Sequence, residues 1–149
     1  MADLPIAKRP RDLGHPSPIL TLRRHELAIE EQEIVIASKE LRLLEIAEEE
    51  ARITKDLSGS LRPEAERLGG VAEAVERKQG ASTPDAYRAR IKARQQHLLI
   101  HQRELRLLEL DDERNGIGID IDASREAIAK LEAEASHQRT RLNEESPNG

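Results

Sequence analysis

His97, His101 and Glu104 stand at i, i+4 and i+7, so a helix there would carry all three on one face. Two histidines one helical turn apart can chelate zinc through their imidazole nitrogens. The sequence His97-Leu98-Leu99-Ile100-His101 lacks the intervening glutamate of a zinc hydrolase, and no fourth ligand is evident. A polar helix face is the expected role. Glu134-Ala135-Ser136-His137 has the Glu-x-x-His spacing of di-iron bundles, but that chemistry needs two such motifs plus two more glutamates, and the chain has one. Asp120-Ile121-Asp122-Ala123-Ser124 opens like a calcium loop. Arg125 then stands where glycine is due and Leu131 where the closing glutamate is due. His25 beside Glu26 has no partner spacing, and Gly116-x-Gly118 lacks the third glycine of a dinucleotide site. No phosphate-binding Gly-Lys-Ser/Thr and no nucleophile elbow occur, and with no cysteine there is no thiolate chemistry. The expectation is a non-enzymatic protein without metal or cofactor.

The basic residues Arg88, Arg90, Lys92 and Arg94, followed by Arg103 and Arg106, could contact phosphates. No aromatic side chain is interleaved for base stacking. A net charge of −5 also argues against wholesale nucleic-acid binding. Phosphate contact is therefore the alternative function, with the basic N-terminal tail (Lys8-Arg9-Pro10-Arg11) as its second element.

The elements that would carry these residues are helices. Ala, Glu, Lys, Leu and Arg supply 82 of 149 residues, the balance of coiled coils and long helices. With Tyr87 the only aromatic residue, a thick globular interior is not expected; Leu, Ile, Val and Ala suit thin seams between helices. Residues 1–18 hold four prolines and no apolar run, which predicts a disordered tail and no signal peptide. No apolar stretch is long enough to span a membrane. The expected compartment is the cytoplasm, with the nucleus left open by the basic tail.

Residues 19–62 and 85–146 contain no proline. Helices are expected over about 19–62, 64–79 and 84–138, with a disordered end over 139–149. Pro63 reads as the start of a short connecting helix, Gly80 as its stop, and Ser82-Thr83-Pro84-Asp85 as a restart. Asn115-Gly116-Ile117-Gly118 leaves open a kink at 115–118.

Shifting the chain by 64 residues superimposes the two long segments. Glu40-Leu41-Arg42-Leu43-Leu44-Glu45 recurs as Glu104-Leu105-Arg106-Leu107-Leu108-Glu109, and 11 of 26 positions from 32 to 57 are identical. Duplication of one helical unit is the natural source.

Two apolar stripes run through each copy. One is Leu20, Leu27, Ile34 and Leu41; the other is Leu22, Ile29, Ile36 and Leu43. Their counterparts in the second copy are Ile91, Leu98 and Leu105, and Ala93, Ile100 and Leu107. Positions two apart lie about 200° apart on a helix, so one partner helix covers one stripe. Glutamate and lysine density opposes a strand reading of the same alternation. The expected architecture is an antiparallel hairpin of two long helices with a short connecting helix, coiled-coil-like and assembling into a multi-helix bundle. Its function is then structural: assembly or adaptor work by self-association or by binding a helical partner, through Leu20, Leu22, Leu27, Ile29, Ile34, Ile36, Leu41, Leu43, Leu98, Ile100, Leu105 and Leu107.

Charge suggests a register. Folding about residue 72 sets Glu45, Glu48, Glu49 and Glu50 near Arg94, Asp56 near Arg88, and Arg23 and Arg24 near Asp120 and Asp122.

Overall fold

A computed structural model of the chain describes residues 17–145. The described residues are all-α, with no strand among them. In chain order they form α1 (Pro18–Asp56), a π turn (Leu57–Leu61), α2 (Arg62–Gln79) and α3 (Pro84–Glu145). Ile117, Ile119 and Ile121, which alternate as a strand would, lie inside α3.

Short polar residues set the ends. Ser17 caps α1, its Oγ accepting from the Leu20 amide at 3.2 Å. Thr83 caps α3 in the same way, accepting from the Ala86 amide at 3.2 Å, with Pro84 and Asp85 in the first turn. Gly80 closes α2 with φ 88°, a backbone state that only glycine adopts without strain.

Pro63 does not separate a short helix from a long one, as the sequence suggests; the chain stays helical from Pro18 to Gln79. Proline has no N–H for the carbonyl four residues back, and its ring crowds that carbonyl. The wider π turn just ahead accommodates both defects. There the Arg62 amide donates to the Leu57 carbonyl, five residues back. The hydroxyls of Ser58 and Ser60 donate to the carbonyls of Thr54 and Asp56, each at 3.1 Å. Gln96 reaches across from α3 and donates Nε2 to the Leu61 carbonyl at 3.1 Å. The extra residue also keeps the apolar face aligned. Leu57 and Ala65 are both buried although eight positions apart, a spacing that a regular α-helix would rotate by about 80°.

Helix α3 also runs further than expected: it passes through Asn115–Gly118 without a break and continues beyond 138 to Glu145. Burial of Ile117 and Ile121 offsets the weak helix propensity of Gly116 and Gly118. The expectations for residues 1–16, including the Lys8–Arg11 patch, and for 146–149 lie outside the described residues. No helix of the described residues is long and apolar enough to cross a membrane.

The described residues divide into two compact units, one made of those up to Glu40 and from Gly118, the other of Leu41–Ile117. In the first unit, α1 and α3 are joined by His25–Glu134 at 2.9 Å, Glu26–Arg139 at 3.2 Å, Lys39–Asp120 at 3.2 Å and Glu40–Arg125 at 3.7 Å. From residues 25 and 26 to residues 39 and 40 of α1 the partners on α3 move back from 134 and 139 to 120 and 125, so these segments run antiparallel. Ile121, Ser124 and Ala135 are buried in this unit.

In the second unit the same opposition holds. Arg42 pairs with Glu113, Glu49 with Arg106, Glu50 with Arg114, Asp56 with Arg103 at 3.9 Å and Glu76 with Arg90 at 2.8 Å. Its core holds Ile46 and Leu110, both fully buried, and Ile53, Leu57, Ala86, Ala93, Ile100 and Ile117 are buried elsewhere along its helices.

These pairs overturn the register expected from charge alone. Asp56 meets Arg103 rather than Arg88, Glu49 meets Arg106 rather than Arg94, and Asp120 meets Lys39 rather than Arg23 or Arg24. The physical reason is the unbroken helix through Pro63. The reversal falls at the Gly80–Thr83 loop instead of near residue 72, and every pairing moves with it.

Candidate interaction surface

In the first unit, α1 presents its two stripes differently. Leu22, Ile29 and Ile36 are half-buried; Ile36 shares a hollow with Ile128 of α3, and Ile29 shares one with Ala135 of α3. Leu20, Leu27 and Ile34 are exposed, Leu27 at 62% and Ile34 at 64%. The fold consumes one stripe and leaves the other uncovered.

The second unit repeats the division. Leu43 and Leu107 are half-buried, while Ala93 and Ile100 are buried in the seam. Leu41, Ile91, Leu98 and Leu105 are exposed, at 58%, 52%, 56% and 57%. The uncovered residues correspond across the 64-residue shift: Leu27 with Ile91, Ile34 with Leu98, Leu41 with Leu105. Half of the residues singled out from the sequence as an interaction surface are thus partly or wholly covered within the chain: Leu22, Ile29, Ile36, Leu43, Ile100 and Leu107.

Leu44 and its counterpart Leu108, which belong to neither heptad stripe, are exposed at 65% and 69%. Each is the third leucine of the duplicated hexapeptide, three positions from Leu41 or Leu105 and so on the same side of the helix.

Polar groups bracket the seam. Arg42 donates to Glu113 from Nε at 2.6 Å and from Nη2 at 2.9 Å; Arg106 does the same to Glu49 at 2.7 and 3.1 Å. The guanidinium bonds hold the Glu113 and Glu49 carboxyls below the ordinary carboxylate range, against a smaller opposing effect of desolvation.

The candidate phosphate contacts are divided. Arg88 is engaged by Asp85 at 3.1 Å. Arg90 bonds Glu76 and the Ala81 carbonyl, each at 2.8 Å, and lies 4.5 Å over the Tyr87 ring. Lys92 and Arg94 are exposed, and among the described residues neither forms an ion pair within the chain.

Among the described residues the histidines form no metal-holding cluster. His101 leans on Glu104 at 3.4 Å, and Glu134 receives His25 rather than joining His137. Among the described residues no three His, Asp or Glu side chains are placed to hold a metal ion. No family model matches the chain, and neither a curated protein nor a solved structure matches it.

Proposed function

We propose that the chain is a non-enzymatic assembly or adaptor protein that works by burying its outward leucine stripe against a helical surface, in its own kind or in a partner. One observation carries this reading: after the seam has formed, the same stripe remains uncovered in both copies of the repeat, at Leu27, Ile34 and Leu41 and at Ile91, Leu98 and Leu105. Scattered exposed leucines need no explanation, but aligned ones repeated at matching positions do. Burying a Leu or Ile side chain is worth about 1.5–3 kcal/mol, so a few such rungs supply a useful driving force.

Light scattering after size-exclusion chromatography tests the reading. The wild type is expected above the 16.8 kDa of one chain at micromolar concentration. Ile34→Glu and Leu98→Glu should bring it down to one chain, while Val71→Glu, an exposed apolar residue of α2 outside the stripe, should not. A monomeric wild type, or stripe variants that keep the wild-type mass, overturns it.

A further inference from the structure

The two outward stripes carry the same apolar rungs but opposite charge beside them. Residues 26–34 contain four carboxylates and no base, and residues 90–98 contain three bases and no acid. The contrast falls on matched positions. Glu30 lies between the rungs Leu27 and Ile34; 64 residues on, Arg94 lies between Ile91 and Leu98. Glu33 beside Ile34 becomes His97 beside Leu98, and Ala28 beside Leu27 becomes Lys92 beside Ile91.

The fold has used some of these charges and left others. Glu26 is held by Arg23 and Arg139, and Arg90 by Glu76. Glu30, Glu31, Glu33, Lys92 and Arg94 are all exposed, and among the described residues none has an ion pair within the chain. A stripe flanked by unpaired acids and a matching stripe flanked by unpaired bases are complements. Each molecule carries one of each.

Resting on the assembly reading above, we propose that the surface covering this stripe is a second copy of the same chain, with the acid-flanked stripe of the first repeat seated on the base-flanked stripe of the second. Leu27 and Ile34 would meet Ile91 and Leu98, while Glu30, Glu31 and Glu33 would meet Lys92 and Arg94. Like stripes are disfavoured because like charges would face each other across the seam. Flanking charge of this kind selects the partner more than it adds affinity, and its effect weakens with salt.

Two charge-reversed variants test the pairing. Glu30→Arg/Glu33→Arg makes both stripes basic, and Lys92→Glu/Arg94→Glu makes both acidic; among the described residues none of the four positions has an ion-pair partner within the chain. Each variant alone should run as one chain at a concentration where the wild type is associated, with unchanged helical circular dichroism. Mixed one to one, the two should recover the wild-type mass, since each then supplies what the other lacks; a folding defect would not be repaired by mixing. Association of both variants at wild-type strength, while Ile34→Glu and Leu98→Glu still dissociate, overturns the pairing and leaves the assembly reading standing. Failure of the mixture to recover mass also overturns the pairing. A wild type that is monomeric overturns both, and if that monomer retards a DNA duplex at low salt, Lys92 and Arg94 belong to phosphate contacts instead.

Discussion

Arg42 grips Glu113 with two hydrogen bonds, and the relationship recurs between Arg106 and Glu49, with each partner displaced by the 64 residues of the internal repeat. Smaller features follow suit: Arg42 also reaches Glu45 at 3.7 Å, and Arg106 reaches Glu109 at 3.8 Å. Within the second unit, one copy of the repeat is packed antiparallel on the other through self-complementary contacts, as the two halves of a symmetric dimer are. Lys39–Asp120 and Arg103–Asp56 correspond by the same shift.

The paired glutamates give an acid-sensitive stability. Their carboxyls are held below the ordinary value of 4.5 in the folded chain, first by the arginine hydrogen bonds. A depressed carboxylate stabilises the fold above its unfolded value, and that contribution is lost as pH falls through the folded value. Thermal melts followed by circular dichroism should hold steady from pH 7 to about 5 and fall below the ordinary carboxylate range. Glu49→Gln/Glu113→Gln should melt lower at pH 7 and show a shallower acid decline. An equally steep decline in the variant would assign the acid sensitivity to other groups.

The core should be sharply distinguished from the surface. Leu110 is fully buried, and Leu110→Ala should cost about 2–5 kcal/mol in urea unfolding. Val71 is 43% exposed, and Val71→Ala should lie within about 0.5 kcal/mol of the wild type.

Glycines of α3 and the loop should respond in opposite directions. Gly80 sits at φ 88°, so Gly80→Ala introduces strain of roughly 1–3 kcal/mol even though no atom lies within 4 Å of the new Cβ. Gly116 is inside α3 with equally open space, and Gly116→Ala should stabilise by up to about 1 kcal/mol. Denaturation midpoints of the two variants should move to opposite sides of the wild type.

The π turn depends on a cross-helix bond. Gln96→Leu removes the donor to the carbonyl of half-buried Leu61 and should lower stability by about 1–3 kcal/mol. Hydrogen exchange should show faster opening of amides around Leu57–Arg62, and unchanged exchange there would show that the bond does not hold the turn.

Much of this protein was legible in its sequence. Proline-free stretches rich in Leu, Glu and Arg announce long helices, because those side chains lose little freedom there. The duplication shows in Glu40–Glu45 and Glu104–Glu109, and heptad spacing reveals two stripes on nearly opposite sides.

What tertiary structure alone decided was the use made of them. The two stripes are equivalent rows as far as composition goes: Ile34 and Ile36 are the same residue type, yet one is 64% exposed and the other half-buried in the seam. The choice depends on the side from which the second helix arrives. That in turn depends on where the chain reverses, and the π turn carries the helix past Pro63 to Gly80. Periodicity is a property of one helix; register and coverage belong to two, and neither exists until the second helix has packed.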